Sequence, residues 1–69
     1  MAIDTAKWAA EHSAALLGLP AGAAEQEVEE AGLRARIAGP DRMLTLEHRP
    51  DRITLVTDEA GVVTEVRPG

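Results

Sequence analysis

Gly39-Pro40-Asp41-Arg42-Met43-Leu44-Thr45-Leu46-Glu47-His48-Arg49-Pro50-Asp51-Arg52 joins two runs that read as β-strands. The stretch is rich in proline and charge, as a connection should be, yet it holds Met43, Leu44 and Leu46 close together. Apolar residues inside a polar connection form either a further strand or a set of side chains held out for a partner. Leu44, Leu46 and His48 alternate with Thr45 and Glu47, and Arg49-Pro50-Asp51 then turns into Arg52, which fits a strand. The other reading is a long exposed loop over 39–51. Periodicity leaves both open, and the choice fixes the fold.

The flanks are clearer. Before the stretch, Leu33-Arg34-Ala35-Arg36-Ile37-Ala38 alternates apolar with basic, the pattern of a strand with one buried face. After it, the β-branched run Arg52 to Thr57 is a second strand, and Asp58-Glu59-Ala60-Gly61 is a hairpin turn in which Gly61 accepts a positive φ. Val62 to Arg67 makes the third strand, ended by Pro68. Upstream, Asp4 or Thr5 caps a helix over Ala6 to Leu17, with Trp8, His12, Ala15, Leu16 and Leu19 as its inward face and Gly18 as its stop. Leu19-Pro20 opens a second helix, which Gly32 ends. Its apolar face is Ala21, Ala24, Val28 and Ala31. Two helices followed by three strands give a small α+β domain. With the long loop crossing back, strands 33–38 and 52–57 run parallel and the hairpin makes the third antiparallel.

Composition narrows the function. Sixty-nine residues make one domain with a marginal core and little room for a catalytic cleft besides. There is no cysteine, so disulfides and thiolate metal sites are excluded and stability rests on packing. A net charge of −5 argues against nucleic acid and anionic membrane surfaces as partners. The Glu25, Glu27, Glu29 and Glu30 cluster reads as a solvated helix face. His12 and His48 have no acidic spacing that suggests a metal. Ser13, the only serine, sits mid-helix without a nucleophile signature. No enzyme activity, metal or cofactor is expected. Asp4 interrupts the apolar start and no stretch is long enough to span a bilayer. As it stands, the chain reads as a soluble cytoplasmic monomer, secreted if a signal has been removed.

Leu46-Glu47-His48-Arg49-Pro50-Asp51-Arg52 resembles the protease-binding loop of the potato inhibitor I family, whose members include chymotrypsin inhibitor two and eglin. It is closer still to that family's bacterial and fungal elastase-inhibitor relatives, which read Met-Asp-Tyr-Arg-Pro-Asp-Arg here. The resemblance continues through Ile53-Thr54-Leu55-Val56, Asp58, Gly61 and Val66 to Gly69, and more weakly back to Leu17-Gly18. It implies a serine protease inhibitor whose loop residues Met43, Leu44, Thr45, Leu46, Glu47, His48 and Arg49 lie in the enzyme's cleft as a substrate would. The implied scissile bond is Leu46–Glu47. Leu46 then fills the primary pocket, which suits subtilisin-, chymotrypsin- or elastase-like enzymes and not a trypsin-like pocket with its buried Asp. Arg52, with Asp51 beside it, is the implied loop support. Where plant and eglin members carry a second supporting Arg, this chain has Thr54.

A second resemblance is shorter. Leu17-Gly18-Leu19-Pro20, Ala24 and Glu29-Glu30-Ala31-Gly32-Leu33 are similar to the helix-to-strand passage of the PASTA domain, a binder of cell-wall peptide fragments and β-lactams. PASTA domains have no long protease loop and usually come in tandem. The third alternative is an interaction domain that has the inhibitor fold without the inhibition.

Overall fold

The computed structural model of the protein describes residues 4–40 and 51–68. Helix α1 spans Thr5–Leu16 and helix α2 spans Ala21–Glu30. Strands β1 (Arg34–Ala38), β2 (Arg52–Thr57) and β3 (Val63–Pro68) form one sheet in the order β1-β2-β3. β1 and β2 are parallel, and β2 and β3 antiparallel, as the crossing connection requires.

Local chemistry accounts for each boundary. The Asp4 side chain accepts hydrogen bonds from the backbone N–H groups of Ala6 (3.1 Å) and Lys7 (3.2 Å), satisfying two orphan donors at the start of α1. α2 ends in a Schellman motif. Leu33 N–H donates to Val28 C=O at 3.3 Å, and Gly32 N–H donates to Glu29 C=O at 2.9 Å. Gly32 has φ +82°, which only glycine adopts without strain. Leu33 and Val28 then meet in the core, completing the motif. At the hairpin, Asp58 accepts from Ala60 N–H (2.9 Å) and Val62 N–H (3.0 Å), and Gly61 takes φ +79°.

Both helices cover one face of the sheet. Ala9, Leu16, Ala24, Val28, Leu33, Ile53, Leu55 and Val63 form the buried cluster between them. Small Ala24, fully buried beside Val28, lets α2 lie close to β1 and β2. In β3, Val63 and Val66 both face this cluster although three residues apart, a spacing that strict alternation would split between faces. A bulge resolves it. Val63 pairs with Thr57 and Glu65 with Val56, so Thr64 is the extra residue, its hydroxyl donating to Val56 C=O at 3.3 Å.

Three expectations need correcting. The inward stripe of α1 is Thr5, Ala9 and Leu16, while Trp8 is half-buried and His12 and Ala15 are exposed. His12 is held by its own helix: its ring stacks on Trp8 at 4.3 Å, and its Nδ1 lies 2.9 Å from Trp8 C=O. Ile37 is on the helix-facing side of β1 but remains 37% exposed, because β1 is an edge strand that α2 covers only in part. The third strand starts at Val63. Val62 forms an isolated bridge to Pro20, one of several bonds joining the connection between the helices to the end of the hairpin.

Leu55→Ala and Ile37→Ala separate these environments. Loss of the fully buried Leu55 side chain should cost about 2–5 kcal/mol. Ile37→Ala should cost under about 1 kcal/mol, since much of that side chain already meets water. Urea denaturation followed by far-UV circular dichroism measures both.

Candidate functional site

Strand alternation sorts the arginines. Ile53 and Leu55 point into the core, so Arg52, Thr54 and Val56 point to the sheet face away from the helices. The parallel register sets Arg34 beside Arg52 and Arg36 beside Thr54, and the antiparallel register sets Arg67 on the other side of Thr54. Arg34, Arg36, Arg52 and Arg67 therefore share one face. Thr54 lies between two of them and is only 4% exposed. Arg36, Arg52 and Thr54 are each engaged in interactions, and the Arg52 Nε is buried.

The corner where Arg34 meets Asp51 and Arg52 is tied by backbone and charge. Arg34 N–H donates to Asp51 C=O at 2.8 Å, extending the β1–β2 ladder by one bond. The Arg34 Nε lies 3.6 Å from Asp51 Oδ2, with both side chains largely in solvent. The backbone bond thus fixes the geometry, and the exposed ion pair adds at most about 1 kcal/mol. Arg34, Ala35, Arg36, Asp51 and Arg52 line a concave surface of about 480 Å³ here. Further along the face, Arg67 Nε meets Glu65 Oε2 at 2.8 Å.

The candidate protease-binding residues Met43, Leu44, Thr45, Leu46, Glu47, His48 and Arg49 lie outside the described residues. Asp51 and Arg52, the candidate supports, stand where the chain leaves that segment and enters β2. Arg34 joins them at this corner. The expected parallel pairing of strands 33–38 and 52–57 brought this end of the two strands together, and the observed register, one residue on, sets Arg34 beside Arg52. Among the described residues no group of His, Asp and Glu could hold a metal ion, and no helix is long and apolar enough to cross a membrane.

Two helices on a three-stranded mixed sheet, with a long connection between the parallel strands, make a potato inhibitor I-like fold, as the heptapeptide implied. Among solved structures the chain is similar to a trypsin inhibitor from bitter gourd, at TM-score 0.70 and 28% identity over 78% of this chain and 84% of that one. It is also similar in fold to the elastase inhibitor AFUEI, at TM-score 0.70 and 20% identity over 94% of each chain. No protein-family model and no curated protein matches the sequence.

Asp51→Asn tests the weight of the corner ion pair. The backbone bond survives the change, so stability should fall by less than about 1 kcal/mol. The difference from the parent should vanish by about 1 M salt, where screening removes surface attractions. Chemical denaturation at low and high salt measures it.

Proposed function

We propose that this protein inhibits a serine protease in a one-to-one complex, presenting Met43 to Arg49 as a substrate would and offering Leu46–Glu47 as the scissile bond. The observation that carries the reading is the likeness to the bitter gourd trypsin inhibitor, joined to the heptapeptide Leu46 to Arg52 in the sequence that connects β1 to β2. The protein is a binding partner of enzymes and not an enzyme itself.

Specificity follows from Leu46. A buried apolar anchor at the centre of an interface carries most of its energy. A branched aliphatic side chain suits the apolar primary pocket of subtilisin-, chymotrypsin- or elastase-like proteases, whereas a trypsin-like pocket holds a carboxylate and favours a cation. The target therefore differs from that of the bitter gourd protein. In an inhibition panel, the wild type should act on the apolar-specific enzymes and poorly on trypsin. Leu46→Arg should reverse the order, with at least about a 100-fold loss against subtilisin. A wild type inert toward every apolar-specific serine protease would refute the reading and leave the fold intact.

Persistence of the inhibitor requires a loop that stays in place around the scissile bond, because ordering a flexible loop on binding costs free energy for every side chain fixed. Arg52 is the support proposed for this role. It is half-buried with its Nε enclosed, so its removal also loses packing of the side-chain stem. Arg52→Ala should cost about 1–2 kcal/mol, more than an exposed surface pair. At temperatures well below melting, the variant should be cut between Leu46 and Glu47 by subtilisin while the wild type persists. Arg52→Lys should fall between them, since an ammonium lacks the planar fork. Mass spectrometry of a digestion time course reads this. Equal cleavage of wild type and Arg52→Ala would assign the rigidity elsewhere.

A further inference from the structure

The helical side of the molecule carries a second feature, separated from the arginine face by the sheet. α1 packs mainly on β3 and α2 on β1 and β2, and the two helices touch each other little. A groove of about 130 Å³ opens between them, lined by Trp8, His12, Ala15, Leu16, Leu19 and Glu27. Leu16 is buried in its floor, while His12 and Glu27 stand exposed at its rims. The groove is too small for a typical small-molecule ligand, whose sites run to about 300–1,000 Å³. It is near the size of a cavity that holds one benzene, about 150 Å³, and so admits one side chain.

The lining selects the chemistry of that side chain. One wall is the stacked pair of Trp8 and His12, the floor is aliphatic, and the facing wall offers a carboxylate. A purely apolar occupant would desolvate Glu27 and give it no partner. An acidic occupant would be repelled. An aliphatic stem ending in a cation satisfies all three surfaces: the stem covers Leu16 and Leu19, and the charge meets Glu27 and the indole. The surroundings agree. The helices and the Asp4 cap carry Asp4, Glu11, Glu25, Glu27, Glu29 and Glu30 against Lys7 alone. A separate shallow hollow of about 200 Å³ also touches Trp8 and is otherwise lined by Asp4, Lys7 and Glu11. Such a field draws a basic partner toward the groove and repels an acidic one.

We propose that the α1–α2 groove docks a basic segment of a partner protein by taking one arginine or lysine side chain between Trp8 and Glu27. The site does not depend on the protease reading. It uses none of the residues from Met43 to Arg52.

The test uses the whole protein, labelled with nitrogen-15, and two acetylated, amidated hexapeptides. One is Ala-Leu-Arg-Arg-Leu-Ala, and the other has citrulline in place of each arginine, which keeps the shape and removes the charge. The arginine peptide should shift the Trp8 indole N–H resonance saturably, at least about tenfold more tightly than the citrulline peptide, a difference of about 1.4 kcal/mol. Glu27→Gln should weaken the arginine peptide about fivefold. Glu29→Gln removes the same charge from the opposite side of α2 and should change it less than twofold, which separates a groove from general attraction to an acidic surface. Equal binding of the two peptides, or equal loss in the two variants, overturns the proposal. So does sedimentation showing a concentration-dependent dimer that shifts Trp8 without peptide, since the occupant is then a second copy of this chain.

Discussion

Everything in this molecule depends on burying Ile53 and Leu55. Both are fully enclosed beneath the helices, with Ala24 and Val28 of α2 equally enclosed above the sheet. Complete burial of such a side chain contributes about 1.5–3 kcal/mol, and a domain of this size has only about 5–15 kcal/mol of net stability. Without cysteine, no cross-link can offset the loss of one of them. The same two residues govern the opposite face. Because alternate residues of a strand point in opposite directions, fixing Ile53 and Leu55 inward fixes Arg52 and Thr54 outward. Core packing and the candidate loop support are thus set by one strand and one register.

That register also separates charge. The helices present carboxylates to solvent, while the sheet face away from the helices gathers Arg34, Arg36, Arg52 and Arg67, with Asp51 and Glu65 each beside one of them. A net charge of −5 conceals this division. The composition argues against a nucleic-acid binder on average grounds, yet among the described residues one sheet face is basic. Among the described residues, any partner meets two electrically distinct sides.

Much of this was legible in the chain. Gly18, Gly32 and Gly61 all take positive φ, so the punctuation read from glycine placed both helix ends and the hairpin. The alternation of β2 placed Ile53 and Leu55 in the core, but in β1 it misled at Ile37, which stays exposed, and Thr54 on the opposite face of β2 is buried as well. α1 was harder. Its face was assigned by residue size, with Trp8 and His12 inward, but the helix turns small Ala9 and Thr5 to the sheet and leaves the two rings to stack on its flank. An alanine-rich helix gives almost no periodic contrast, so size misled. The β3 bulge was hidden for another reason: Val63 and Val66 look incompatible with a strand until Thr64 is looped out. The Arg34–Asp51 contact joins residues far apart in sequence, and only the pairing of β1 with β2 brings them together. For Met43 to Arg49, which lie outside the described residues, periodicity left two readings open and only a seven-residue likeness favours one of them.

The order of the elements has a consequence for what happens after a cut. The connection from Pro40 to Asp51 divides the chain so that α1, α2 and β1 lie before it and β2 and β3 after it. Neither side owns a complete core, because Ala24, Val28 and Leu33 come from the first and Ile53, Leu55 and Val63 from the second. A single break in this connection removes no packing contact and no ladder bond between the described strands. It changes the bookkeeping of entropy instead, turning an intramolecular fold into an association of two fragments. The severed halves hold one another through the buried interface that each needs in order to be folded at all. Separation of the two pieces then requires opening the core that they share.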